Sequence, residues 1–181
     1  YVEPLKDLRF TAGLRYTDDD KWTRGSGSTL FASGRGPIFN TPMTARFKEV
    51  TGRFNVDWKP DLSFTDQTLL YASYSKGYKG GGFNPPGVIA LGLPSTFQPE
   101  FVNAYEVGTK NTLADGKVTF NATGFIYDYK GYQIGRSVNR SVYNENIDAK
   151  IKGLEFEFIA EPVDGLRLNA NVGILDTRIE Q

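Results

Sequence analysis

Cysteine and histidine are both missing from these 181 residues. Without them there is no thiol nucleophile, no histidine-based triad, no zinc site of the usual kind and no histidine switch near neutral pH. The small disulfide-rich secreted class is excluded too. Neither sign of charge is in excess, with 21 Lys and Arg against 21 Asp and Glu, so no basic footprint for nucleic acid and no acidic tail stands out. Nucleic acid is not an expected partner. Long apolar runs are lacking as well: a membrane helix needs roughly 18 to 20 such residues, and the stretch from Gly87 to Leu93 ends at Pro94. The opening YVEPLKDLRF has no basic segment leading into an apolar one, so the chain is expected to be cytosolic, already processed or cut from something larger.

What is present is alternation. In GLEFEFIAEPVDGLRLNANVGI, Leu154, Phe156, Phe158 and Ala160 alternate with Glu155, Glu157 and Ile159. After a Pro and Gly turn, Leu166, Leu168, Ala170, Val172 and Ile174 alternate with Arg167, Asn169, Asn171 and Gly173. Period two is the mark of a strand with unlike faces. The same rule reads about seven strands: Leu8 to Thr17, Arg46 to Lys59, Thr68 to Tyr78, Glu100 to Leu113, Lys117 to Ile134, Asn146 to Ala160 and Leu166 to Ile179. No stretch reads as an amphipathic helix.

The connections come in two kinds. Lys59 to Gln67, Leu113 to Lys117 and Glu161 to Gly165 are compact, with Pro60 and Asp61, Asp115 and Gly116, and Asp164 and Gly165 as turn formers. Asp18 to Ala45, Lys79 to Pro99 and Gly135 to Glu145 are long, polar and glycine-rich. Short and long alternate strictly, so the fold expected is all-β: an antiparallel up-and-down meander with short turns at one end and long loops at the other, the layout of a transmembrane β-barrel. A soluble sandwich also alternates apolar with polar, but its strands are typically about 5 to 6 residues and its crossings break that rhythm.

Two features bear on which way the apolar comb faces. The polar comb carries Arg9, Arg15, Glu49, Arg53, Asp57, Glu106, Lys110, Glu155 and Glu157 in mid-strand, which suits a wet lumen and a solvated sheet alike. Aromatics gather toward strand ends, at Tyr16, Trp22, Trp58, Tyr74, Tyr78, Tyr129 and Tyr132, and rings with a polar edge settle at membrane interfaces. This favours lipid. One stretch breaks the scheme: in VTFNATGFIYDY the apolar parity changes near Gly124, as a bulge or a strand leaving the membrane would make it.

Several stretches together, GLRYTDDDKW, LLYASYSKGYKGGGFN, QPEFVNAYEVGTKNTLADGKVTFNATGFIYDYKGYQI and IKGLEFEFIAEPVDGLRLNANVGILDT, resemble the barrel region of TonB-dependent receptors, outer-membrane active transporters of Gram-negative bacteria. The resemblance covers nearly the whole chain. It implies an outer-membrane location, contact with lipid and lipopolysaccharide, and energised uptake of a bulky nutrient such as a ferric siderophore, cobalamin or an oligosaccharide. In that family a barrel of 22 strands encloses an N-terminal plug on which the TonB energy-coupling complex pulls. About seven strands, no plug-like segment and no aromatic-ended closing strand imply that residues 1 to 181 are an internal piece of such a barrel. An autonomous eight-stranded barrel is the structural rival, and a soluble or surface β-domain binding carbohydrate or protein is the functional one.

Loops on a rigid scaffold carry recognition, so Trp22, Phe31, Arg35, Phe39, Lys79, Phe83, Asn84 and Arg136 are the candidate ligand contacts. Aromatics would stack on a flat ligand, and Arg and Lys would meet carboxylates. Arg53, Asp57, Glu106, Lys110, Glu155 and Glu157 are the candidate lumen-lining groups. No enzyme chemistry, cofactor or metal is expected. GYKGGGFN lacks the full phosphate-loop pattern, Asp18 to Asp20 lack the spacing of a calcium loop, Glu155 and Glu157 sit on one comb without a pocket, and the acceptor patterns at Asn121 and Asn139 are read as chance.

Overall fold

A computed structural model describes residues 2–5, 7–24, 42–89, 91–138 and 141–180. It holds one eight-stranded antiparallel sheet in which sequence neighbours lie side by side. Its strands are the short β1 (Val2–Leu5) and seven long ones: β2 (Leu8–Arg24), β3 (Pro42–Trp58), β4 (Gln67–Lys79), β7 (Glu100–Leu113), β8 (Val118–Val138), β9 (Ser141–Val163) and β10 (Leu166–Glu180). Between β4 and β7 stands a small insert of β5 (Gly82–Phe83), the single-turn helix α1 (Pro86–Ile89) and β6 (Thr96–Phe97). The expected meander is present.

The short turns follow their residue chemistry. Ala114, Asp115 and Gly116 all take positive φ (57°, 56° and 82°), and Gly165 at 84° closes the β9–β10 turn. The turns are tied to one another: the Gly116 N–H donates to Asp66 Oδ2 at 2.9 Å and the Asp66 N–H to Thr112 O at 2.9 Å.

At the other end the strands run further than their apolar pattern. β2 and β3 stay paired from Leu8↔Trp58 to Arg24↔Pro42, and β8 and β9 to Val138↔Ser141, so the expected loop from Gly135 to Glu145 is instead mostly ladder. Polar cross-strand pairs extend these hairpins where apolar alternation has ceased. Arg46 donates to both carboxylate oxygens of Asp18, at 2.8 and 2.6 Å.

The parity change near Gly124 is not a bulge. Pairing runs unbroken from Val118↔Ala160 to Tyr129↔Ala149, and the irregularity falls between Tyr129 and Tyr132, around Gly131 at φ 65°. Phe125, Tyr127 and Tyr129 lie on the polar-comb face, where Phe125 and Tyr127 stack at 4.8 Å. The aromatics changed face; the strand did not change register.

Following the register across the sheet orders the apolar comb into rows. Phe10, Val56, Ala72, Val107, Gly124, Leu154 and Ile174 form one continuous row over seven strands. No second sheet covers it among the described residues: Leu154, Phe158, Leu168 and Val172 are 47, 41, 49 and 55% exposed. The opposite outcome, burial of this set against another layer, would have meant a soluble sandwich.

The upper edge of the apolar comb is slanted. On β2 the last apolar residue before charge is Tyr16, followed on that face by Asp18, whereas on β10 it is Ile174, next to Asp176. The row through Ile174 meets β2 at Phe10, six residues below Tyr16. Six residues are about 20 Å of strand, and six inter-strand steps are about 29 Å, so the edge departs by roughly 35° from the perpendicular to the strands, the tilt of strands in membrane barrels. The apolar comb runs from Leu8 to Tyr16 on β2, Val50 to Trp58 on β3 and Val118 to Ile126 on β8, about 27 Å of strand. Projected on that tilt it is roughly 22 Å tall, close to the apolar band of about 25 Å in such barrels.

Polar groups at the lower edge of this face are satisfied internally. Asn111 accepts from Thr68 Oγ1 at 3.0 Å and from Thr109 Oγ1 at 3.2 Å, and donates to Phe120 O at 2.9 Å, which hydrocarbon demands. Val56→Arg is expected to destabilise the complete barrel in lipid vesicles by about 2–4 kcal/mol, and Thr123→Arg on the opposite face by far less. Denaturant titration of vesicle-folded protein measures the difference.

Candidate functional site: the polar face and the mouth of the wall

The six candidate lining residues share one face. Asp57, Tyr71, Gly108, Thr123 and Glu155 form one row, Glu106 lies one row above it with Ser73 and Phe125, and Arg53 lies two rows above it with Ser75 and Tyr127. Lys110, Asn121 and Glu157 form the row below. Arg9 donates through Nε (3.0 Å) and Nη2 (2.7 Å) to Asp57 Oδ2, Tyr127 donates to Glu106 Oε1 at 2.6 Å, and Asn121 donates to Glu157 Oε2 at 2.8 Å. Arg15, Arg53, Lys110 and Glu155 make no ion pair among the described residues. Arg15 and Arg53 stand on β2 and β3, Lys110 on β7 and Glu155 on β9, so unpaired charges of both signs remain on this face.

Tyr71 joins the middle strands. Its ring lies over Gly108, where a Cβ would come within 2.7 Å of it, and its hydroxyl shares a hydrogen bond of 2.9 Å with Thr123 two strands away. A cleft of about 510 Å3 opens beside it, edged by Lys110, Asn121, Glu155 and Glu157. The aromatic set Tyr71, Phe125, Tyr127 and Tyr129 is absent from the sequence-based candidates. Its one signal was the parity change near Gly124.

Above the apolar band β3 and β4 part: they pair only from Gly52↔Lys76 to Trp58↔Leu70. The β4–β7 connection fills the gap. Lys21 Nζ donates to Gly81 O at 2.7 Å and the Tyr78 hydroxyl to Asp19 Oδ2 at 3.1 Å. Burial, then this contact, push the Tyr78 hydroxyl up to about 12, so it remains a donor throughout the neutral range.

The far end of the connection is fastened by Asn84, which is 2% exposed. Its Nδ2 donates to Pro94 O and to Asn144 O, both at 3.0 Å, while its Oδ1 accepts from the Asn144 N–H at 2.8 Å. The side-chain amide takes the place of a neighbouring strand. Gln133 Nε2 adds bonds to Gly80 O and Gln98 O, each 3.1 Å, and Val88 is fully buried beneath the turn. The connection is therefore a strap from the β2–β3 hairpin to the β8–β9 hairpin.

The candidate ligand contacts fall at different places. Trp22 is exposed on the outer side of the β2–β3 hairpin, in the same parity as Leu14 and Tyr16. Lys79 pairs with Glu100 at 3.5 Å, Phe83 is half-buried in β5 opposite Thr96, and Arg136 pairs with Glu145. Asn84 works as the fastener just described. Phe31, Arg35 and Phe39 lie outside the described residues.

A sheet with one uncovered apolar face, one charged face and a strapped mouth has the layout of a barrel wall, and comparison with known proteins decides which kind. Residues 2–179 match the family described as TonB dependent receptor-like, beta-barrel. The chain belongs to the TonB-dependent receptor β-barrel family. It is 24% identical over 179 residues to the metal-pseudopaline receptor CntO of Pseudomonas aeruginosa, covering 98% of this chain and 23% of that protein. The ferric yersiniabactin uptake receptor FyuA from Yersinia pestis superposes with a TM-score of 0.75 at 22% identity, over 98% of this chain and 25% of that one. The alcaligin outer membrane receptor FauA from Bordetella pertussis gives 0.63 at 14% identity, over 98% and 28%. The copper transporter OprC gives 0.68 at 18%, over 96% and 26%. The chain thus spans about a quarter of the length of the relatives it matches.

Two outcomes follow for the mouth. Asn84→Ala removes three bonds and leaves the Asn144 amide without its acceptor, a loss of about 1–3 kcal/mol locally, read as roughly 10- to 100-fold faster hydrogen exchange at Asn144. Second, the Asp148 carboxyl is held below its ordinary value by the Gly131 N–H (2.9 Å) and by Lys130 (3.0 Å). A depressed carboxyl stabilises above the unfolded value of about 3.9 and stops doing so as pH falls through its folded value. Protection of the Gly131 amide is expected to persist at pH 5 and to be lost only once the pH has fallen below that unfolded value, and Asp148→Asn is expected to remove that dependence.

Proposed function

We propose that this chain is part of the wall of an outer-membrane transporter of a Gram-negative bacterium, which takes up a scarce, bulky nutrient under drive from the TonB complex acting through a plug domain. The observation that carries the membrane part is the slanted apolar band left without a covering layer, which a soluble sheet has no reason to keep. The unpaired charges of both signs on the opposite face support an occupied lumen: a protein element with acidic groups toward Arg15, Arg53 and Lys110 and a basic group toward Glu155 would satisfy them.

Within the nutrient classes, a metal carried by a small chelator is the preferred cargo. Support comes from the relatives, which are named for metal-pseudopaline, ferric yersiniabactin, alcaligin and copper. The cargo would be met at the mouth by Lys79, Phe83 and Arg136, with Phe31, Arg35 and Phe39, and then by the tyrosines of the inner wall, while Trp22 faces outward. Cobalamin and oligosaccharides are the alternatives to be tested beside it.

The test is uptake of labelled ferric chelates, cobalamin and oligosaccharides by cells carrying the complete receptor. Saturable uptake of one chelate is expected, abolished when the TonB complex is deleted. Equal accumulation with and without that complex would overturn the energised reading, and transport of cobalamin or sugar alone would overturn the preferred cargo.

A further inference from the structure

An aspartate followed by glycine is open to attack by the glycine nitrogen on the aspartate side chain, because glycine has no Cβ to crowd the approach. The sequence holds two such pairs, Asp115–Gly116 and Asp164–Gly165. Each stands at the tip of a short turn, the first between β7 and β8 and the second between β9 and β10. Both residues of each pair are exposed, and a Cβ added at either glycine would meet nothing within 4 Å. The glycines take nearly the same positive φ, 82° and 84°. In residue type and exposure the pairs are equivalent.

Their backbone nitrogens are not. The Gly116 N–H donates to Asp66 Oδ2 at 2.9 Å, and Asp66 is itself fixed by its N–H on Thr112 O at 2.9 Å. A nitrogen so held must give up a charge-assisted bond before it can turn toward the Asp115 side chain. The carboxylate beside it also opposes the negative charge that the nitrogen gathers as it loses its proton. The Gly165 N–H, by contrast, meets no acceptor among the described residues. Arg167, the closest cation in sequence, is taken by Glu161 at 3.5 Å, so it does not hold the Asp164 carboxyl away.

We propose that Asp164–Gly165 is a site of self-modification, converting to isoaspartate as the protein ages, and that Asp66 protects the equivalent pair Asp115–Gly116. The Gly165 nitrogen attacks Asp164 Cγ: the N–Cγ bond forms, the Cγ–OH bond breaks, and the hydroxyl leaves with the amide proton as water. The product is a cyclic imide, which water then opens on either side. Cleavage of the N–Cγ bond restores aspartate, whereas cleavage between the nitrogen and the α-carbonyl carbon leaves the chain running through Cγ, as isoaspartate. Water is the only co-reactant, and nothing is oxidised or reduced. The altered turn carries one more backbone carbon. The ladder beside it has a register irregularity between Leu166 and Leu168 that can take up the added length, so pairing from Leu168↔Ala160 onward stays in place.

The test ages the complete receptor, folded in lipid vesicles, in neutral buffer at physiological temperature. After digestion, isoaspartate is counted at each turn by mass spectrometry with a fragmentation that tells the two isomers apart. The same chain aged in denaturant is the reference, in which both pairs are expected to convert at similar rates. In the folded receptor Asp164 is expected to convert about tenfold faster than Asp115, the ratio that one hydrogen bond to a charged group supplies. Asp66→Ala, which keeps its N–H on Thr112 O, is expected to raise conversion at Asp115 about tenfold and to leave Asp164 unchanged. Asp164→Glu, whose longer side chain would have to close a larger ring, is expected to leave the β9–β10 turn free of product. Equal rates at the two turns of the folded receptor, or no product at Asp164 while the denatured chain converts, overturns the site. An unchanged rate at Asp115 in Asp66→Ala overturns the protection, and the wild-type ratio decides the site even if that variant fails to fold.

Discussion

A backbone that crosses hydrocarbon has no water to bond, so each N–H and C=O must find its partner in the neighbouring strand. That requirement produces the long continuous ladders seen here, such as the one from Leu8↔Trp58 to Arg24↔Pro42. Once the backbone is committed to the sheet, only side chains can differ between the two sides, and they must do so with period two. The lipid-facing comb, the polar comb and the slanted edge between apolar and charged residues all descend from it. Even the polar exceptions obey the rule: Asn111 on the outer face spends its amide on Thr68, Thr109 and the carbonyl of Phe120.

The opposite face answers to a different solvent. Charges there stay near water, so Arg53 and Glu155 persist without partners among the described residues, while Arg9 and Asp57 pair at the turn end. Aromatic rings enter this face where glycine leaves room, as Tyr71 does over Gly108. The rings stiffen the wall by bridging strands. Toward the mouth, where neither solvent imposes a pattern, side chains such as Asn84 and Lys21 take over the bonding that a strand would otherwise supply.

Much of this wall was legible in the residues. The alternation of Leu154 to Ala160 and of Leu166 to Ile174 marked both strands and the turn between them, because a period of two survives in sequence as it does in space. That the six charged positions share one face was legible for the same reason. Less legible were elements whose cause lies in a distant partner. The extension of β8 and β9 to Val138 and Ser141 depends on cross-strand pairing of polar residues, which leaves no apolar signature. Asn84 read as a loop residue available to a ligand, yet its amide is consumed by a backbone sixty positions away. The aromatics from Phe125 to Tyr129 looked like a break in the strand, since parity alone cannot tell a bulge from rings placed on the wet side.

By itself the sequence determined the strand-and-turn rhythm, the assignment of residues to two unlike faces and the family. These are properties of nearest neighbours and of a period of two, and they need no knowledge of which strand lies beside which. Register belonged to the tertiary structure. Only the alignment of Ile174 with Leu154, Gly124, Val107, Ala72, Val56 and Phe10 revealed the slant of the apolar band. Hydrogen-bond pairing between strands sets the offset of one strand against the next, and that offset is written in no single strand.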